Sequence, residues 1–135
     1  IGKPPEVNLI NEKNNGEIVY NLINENLIVS AHDISNGGLI TSLSEMTFGS
    51  NYGIKVEKPK KLGNLNQYFF GEDQGRYILE IDTKNFKKVE KKLISNNIYF
   101  ESLGYTQEKY FEIDGEMKID INDLFKINNQ WYNNY

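Results

Sequence analysis

The chain predicts an α+β fold, a mixed β-sheet covered by helices in α/β/α layers, from two features of its pattern. Through the first half, short apolar runs alternate with segments whose apolar residues recur at helical spacing. The last third instead holds several short strand-like stretches separated by turn residues, too many for a purely alternating arrangement. At 135 residues the chain is long enough to bury one core and short enough to be read as a single domain, 1–135.

The elements follow in order. Residues 1–14, with Pro4-Pro5, read as an extended lead-in, because each proline biases its predecessor away from helix. From about Asn15 to Asn26, Ile18, Val19, Leu22 and Ile23 mark a one-faced helix, and Leu27–Ala31 reads as a buried strand. A helix from about Ser35 to Phe48 carries Leu39, Ile40, Leu43 and Met46 on one side, with Ser35 or Asn36 placed to cap it. Gly49-Ser50-Asn51 ends it. Gly53–Glu57 alternates as a strand, Lys58–Lys61 is a solvated loop, and Leu62–Phe69 reads as a short helix leading into the Gly71–Gly75 turn. Tyr77–Ile81 is the clearest strand. Asp82 or Thr83 then caps a helix to Ser95 with Phe86, Val89 and Leu93 as its buried stripe. Ile98–Leu103 and Lys109–Ile113 read as strands, Asp114-Gly115 as a turn into the strand Met117–Ile119, and Ile121–Phe125 opens a last helix. The tail 131–135 reads as a frayed end with Trp131 docked on the core.

Composition removes several classes of function. The chain carries −4 net charge, and Arg76 is its single arginine among 15 basic residues, so it has no nucleic-acid footprint. It has no cysteine and one histidine, which excludes disulfides, thiolate chemistry and cysteine- or histidine-rich metal sites. No apolar run is long enough to span a membrane. Without a secretory hydrophobic segment or an initiating methionine, the chain reads as a cytoplasmic piece of a longer protein.

Ser30-Ala31-His32-Asp33-Ile34-Ser35-Asn36-Gly37-Gly38-Leu39 organises the rest. It leaves a strand, turns, and opens a helix with two glycines, residues suited to close backbone approach. His32 and Asp33 fall at the carboxyl end of the strand, where open sheets place ligands. This string, followed by Ser44-Glu45-Met46, resembles the signature of phosphoribosylformylglycinamidine synthase. Phe70-Gly71-Glu72-Asp73-Gln74-Gly75-Arg76-Tyr77 resembles a second block of the same family, in the same order, and with the Gly104-Tyr105 region the resemblance covers nearly the whole chain. It points to the C-terminal domain of the synthetase subunit, a mixed sheet with helices, similar to the C-terminal domains of aminoimidazole ribotide synthetase-like proteins.

The resemblance implies ATP-dependent formation of an amidine from formylglycinamide ribotide and glutamine-derived ammonia, with ATP and Mg²⁺ as cofactors. The implied partners are the N-terminal domains of the same synthetase, a glutaminase subunit and a small bridging subunit, with no nucleic acid and no membrane. The resemblance implies a full-length synthetase that looks like an internal duplication, and Asp33 falls where its catalytic half carries an aspartate that resembles a Mg²⁺ ligand; a lone carboxylate serves there only when nucleotide phosphates and water complete the octahedron. His32, Asp33, Gly37, Gly38, Glu72, Gln74 and Arg76 are the nucleotide-binding or interface candidates. None is assigned catalysis, because the family's catalytic histidine and ATP-binding residues belong to other domains, and the chain alone is expected to be inactive. The related alternatives are another superfamily member, such as aminoimidazole ribotide synthetase or selenophosphate synthetase, or a non-catalytic binding module. Where the catalytic half carries Glu-Ser-Gln, this chain has Glu72-Asp73-Gln74. Two like unit charges 4 Å apart repel by about 4 kcal/mol at an effective dielectric of about 20, so Asp73 argues against a substrate phosphate here. His32 beside a turn reads as a structural hydrogen-bonder, and Arg76 is expected to be half-buried against Glu72 or Asp73. The glycine turn is expected to face another domain, so that Gly37→Val weakens the isolated fold by only about 1 kcal/mol.

Overall fold

The computed structural model describes residues 6–58, 64–130 and 132. They form two compact units, one running to Ser42 and resuming at Phe70–Glu101, the other comprising Leu43–Phe69 and the chain from Ser102. The element order is α1 (Leu9–Asn24), β1 (Ser30–Asp33), α2 (Gly38–Thr47), β2 (Tyr52–Val56), α3 (Leu65–Phe70), β3 (Tyr77–Glu80), α4 (Thr83–Ser95), β4 (Gly104–Glu108), β5 (Tyr110–Ile113), β6 (Met117–Asp120) and α5 (Ile121–Asn129). Helices and a mixed sheet are present as the pattern implied, but the strands divide between two sheets.

In the first unit β1 and β3 form an antiparallel pair. Its core is Ile18, Val19 and Leu22 of α1, Leu27, and Val89 and Leu93 of α4, with Ile28, Leu79, Ile81 and Ile98 packed against them. Phe86, expected in that stripe, is exposed: it lies in the first turn of α4, and the buried face begins at Val89. Asp82 caps α4 as expected, its side chain accepting from the Lys84 N–H at 3.0 Å.

Two sequence-level boundaries move for one physical reason. Asn26 and Asn97 take left-handed conformations, φ 54° and 55°. Each is followed by an apolar residue whose N–H reaches back to the helix, Leu27 to the Leu22 carbonyl at 3.0 Å and Ile98 to the Leu93 carbonyl at 2.9 Å. The asparagine N–Hs bond the Ile23 and Ile94 carbonyls. These are Schellman closures, in which the apolar residue after the turn packs on the last helical turn. Leu27 and Ile98 therefore end helices instead of starting strands: β1 begins at Ser30, and the expected strand Ile98–Leu103 does not form, β4 lying wholly beyond it at Gly104–Glu108.

The expected extended lead-in is also corrected. Residues 9–14 are helical, because Asn8 caps α1 by accepting the Asn11 N–H at 3.0 Å. Leu9 and Ile10 are exposed, so the apolar period gave no sign of this first turn and a half.

The second unit is built on a mixed sheet in the order β4-β2-β5-β6. Strand β2 runs antiparallel to β4 and parallel to β5, and β5 and β6 form a hairpin, with the Asp114-Gly115 turn where expected. Val56, Phe111 and Ile113 are buried. On the sheet Lys55, Glu112 and Lys118 form a cross-strand ladder, with Nζ–Oε distances of 3.0 and 3.1 Å. Asp120 caps α5 by accepting the Asn122 N–H at 2.9 Å. The expected lead-in at residues 1–5, the loop at 59–61, the start of the short helix at 62–63, and the aromatic tail except Tyr132 lie outside the described residues.

Candidate functional site

The two motif blocks are brought together by strand pairing. In the antiparallel register of β1 and β3, Asp33 lies opposite Tyr77. The chain leaving β1 and the chain entering β3 are thus at the same end of the ribbon. The Ile34 N–H continues the ladder to the Arg76 carbonyl at 2.9 Å. Beyond it, the Gly37 N–H donates to Glu72 Oε1 at 2.8 Å. Residues 35 positions apart therefore meet at the start of α2, where the unpaired N–H groups of a helix favour negative charge.

The turn before α2 is closed by its own helix. The Thr41 hydroxyl donates to the Gly37 carbonyl at 3.1 Å and the Ser42 hydroxyl to the Asp33 carbonyl at 3.0 Å. The Gly38 N–H bonds the Ser35 carbonyl at 3.0 Å. The expected side-chain cap from Ser35 or Asn36 is not formed: the Gly38 N–H goes to the Ser35 main-chain carbonyl, and Glu72 accepts the N–H of Gly37 just ahead of the helix. Gly37 has φ +80°, and a Cβ there would collide with Thr41 Oγ1. The glycine serves internal packing, which corrects the expectation that Gly37→Val would be mild.

Arg76 fixes the second turn. Its side chain is one-third exposed, and Nη2 stands 3.7 Å from Asp73 Oδ2. The expected acidic partner is thus Asp73, but the shorter bonds go to main-chain oxygens: Nη2 to the Gly71 carbonyl at 2.6 Å and Nε to the Asp73 carbonyl at 3.3 Å. From α1, Asn15 Nδ2 donates to the Gly75 carbonyl at 2.9 Å. Asn15, Thr41 and Ser42 were not among the sequence candidates; a carboxamide inside a helical run was the available signal for the first, and two hydroxyls in the first turns of α2 for the others.

His32, within β1, has Nδ1 2.6 Å from the Asp33 carbonyl and 3.7 Å from Asp33 Oδ1, a local contact of the kind expected for a histidine beside a turn. The Asp33 side chain is about two-thirds exposed. Glu72, Asp73 and Gln74 are exposed, while Gly75 is half-buried.

As a metal site the arrangement does not suffice. Among the described residues no three His, Asp or Glu side chains converge as a metal-ligand group. Asp33 is a single carboxylate, short of what Mg²⁺ needs from its own chain. As an anion site the start of α2 is filled by Glu72, so a phosphate at the Gly37 N–H would have to displace a carboxylate.

A family model described as "AIR synthase related protein, C-terminal domain" matches residues 2–114. The chain belongs to this family. Among curated relatives of this domain, phosphoribosylformylglycinamidine synthase subunit PurL of Pelagibacter ubique is 46% identical over 134 residues, covering 99% of this chain and 18% of the relative. The same subunit of Rhodopseudomonas palustris (strain HaA2) is 34% identical over 134 residues, with the same two coverages, 99% and 18%. The domain thus spans about a fifth of the length of the curated relatives it matches. Among solved structures, Thermotoga maritima PurL complexed with ATP superposes with a TM-score of 0.71 at 16% identity, over 84% of this chain and 21% of that one. Thermotoga maritima PurL complexed with FGAR gives 0.70 at 17% identity, over 84% and 21%. These likenesses establish the fold of the AIR synthase related C-terminal domain.

Proposed function

We propose that this chain is the C-terminal domain of the synthetase subunit of a phosphoribosylformylglycinamidine synthase, the ATP-dependent ligase that makes the amidine of purine biosynthesis from formylglycinamide ribotide and glutamine-derived ammonia. The observation that carries the reading is 46% identity to a subunit of that name along 99% of the chain. The enzyme's catalytic set resides in the rest of the longer protein, and this domain supplies a rigid pair of turns, Asp33–Gly38 and Glu72–Arg76, that faces its neighbours. If a nucleotide approaches that surface, Asp33 is the residue to hold its Mg²⁺, with phosphate and water completing the shell. The relative complexed with ATP and the assembly PurLQS from Thermotoga maritima support ATP use and association with glutaminase and bridging subunits. No described helix is long and apolar enough to cross a membrane, and we place the enzyme in the cytoplasm.

The test is a chimera in which this chain replaces the matching segment of the Pelagibacter ubique synthetase. Amidine formation with ATP and ammonia is expected at a rate near that of the parent, and none is expected from the 135-residue chain alone. A folded chimera without amidine formation, beside an active parent, would overturn the assignment.

A further inference from the structure

The chain contains two Asn-Gly dipeptides, Asn15-Gly16 and Asn36-Gly37, in opposite surroundings. We propose that Asn36 is a site of spontaneous deamidation, left open by its exposed turn, and that Asn15 is protected from the same reaction by α1. In an Asn-Gly pair no Cβ hinders the main-chain nitrogen from reaching the asparagine carboxamide carbon. At Asn36 that pair sits in an exposed turn outside any helix, and among the described residues the carboxamide of Asn36 has no hydrogen-bond partner. The Gly37 N–H makes no helical bond; it donates to Glu72 Oε1 at 2.8 Å in an exposed contact. That acceptor is a base on the nitrogen that must lose its proton, so the contact does not shield the nitrogen from reaction.

Asn15 differs on each count. It lies within α1 (Leu9–Asn24), is half-buried, and its Nδ2 is tied to the Gly75 carbonyl at 2.9 Å. Helical backbone keeps the Gly16 nitrogen in the i→i−4 ladder, so attack there requires α1 to open first.

The step balances without a co-reactant other than water. The Gly37 nitrogen gives up its proton to a base and bonds to Asn36 Cγ. The Cγ–Nδ2 bond breaks, and ammonia leaves with a proton taken from water. Water then opens the five-membered imide at either carbonyl, leaving aspartate or isoaspartate. Either product adds a fourth carboxylate beside Asp33, Glu72 and Asp73 on a chain already at −4, and isoaspartate lengthens the backbone by one carbon at the entry to α2.

The full chain is incubated in mildly alkaline buffer and mapped by proteolysis and mass spectrometry over time, folded and in denaturant. In denaturant both pairs should convert at similar rates. In the folded chain Asn36 should convert at least roughly tenfold faster than Asn15, since even modest opening free energies suppress attack within a helix by such factors. Asn36→Gln, whose longer side chain cannot close the five-membered ring, should abolish the signal at that position. Folded-state conversion at Asn15 equal to or faster than at Asn36, or no conversion at Asn36, would overturn the proposal.

Discussion

Gly37→Ala should be costly, and the structure divides its cost into two parts that can be measured separately. Gly37 has φ +80°, a conformation that costs a residue with a Cβ about 1–2 kcal/mol. The added Cβ would also lie 2.9 Å from Thr41 Cβ, closer than side chains pack, besides striking Oγ1. Thr41 cannot swing clear, since its Cβ is set by helix α2. Overpacking of this kind costs about 1–3 kcal/mol, so the total is about 2–5 kcal/mol. Gly49 provides the control: its φ is +73°, but a Cβ there would meet nothing within 4 Å. Gly49→Ala should therefore show the backbone part alone, about 1–2 kcal/mol. Urea and thermal unfolding of both variants, each read against wild type, make the comparison. At about 4 °C per kcal/mol for a chain of this size, the midpoint of Gly37→Ala should fall further than that of Gly49→Ala by about 4–12 °C. Thr41→Ala in the Gly37→Ala background removes Oγ1 and Cγ2 and should recover part of the loss, a coupling of about 1 kcal/mol. Equal midpoints for Gly37→Ala and Gly49→Ala would refute the collision.

Three further outcomes are expected. Arg76→Lys replaces a fork that reaches two main-chain oxygens with a single ammonium; it should lower stability by about 1–2 kcal/mol and speed amide hydrogen exchange across residues 71–76, and unchanged exchange there would count against the role given to Arg76. Leu22→Ala, at a fully buried position in the core of the first unit, should cost about 3–5 kcal/mol in denaturant unfolding, and a loss under about 1 kcal/mol would mean the α1–α4 packing is wrong. The Glu112 carboxyl is held below its ordinary 4.5 first by its hydrogen bond to Lys55 and then by that to Lys118. A carboxyl so depressed adds stability that is present above about 4.5 and lost as pH falls through its folded value. Glu112→Gln should therefore be less stable than wild type at neutral pH and converge with it in acid; a difference that does not change with pH would reject the ladder as its source.

What the sequence disclosed, and what it concealed, follows the reach of each interaction. Caps at Asp82 and the turn at Asp114-Gly115 were legible because donor and acceptor lie within a few residues of one another. The boundaries at Leu27 and Ile98 misled because an apolar residue after asparagine can begin a strand or close a helix, and only the left-handed asparagine distinguishes the two. The first turns of α1 were hidden because Leu9 and Ile10 face solvent, leaving no buried stripe to read. The site residues were legible as two strings but not as one place. Their union depends on β1 and β3 pairing in a register that sets Asp33 against Tyr77, and no spacing within either string encodes that. Once the register is fixed, Glu72 falls beside the Gly37 N–H. Glu72 thereby acquires a structural task, accepting the Gly37 N–H at the entry to α2, while Asp73, whose charge argued against phosphate, stays an exposed neighbour of Arg76. The glycine that reads as a place for close approach of a partner is already approached, from within, by Thr41 and Glu72.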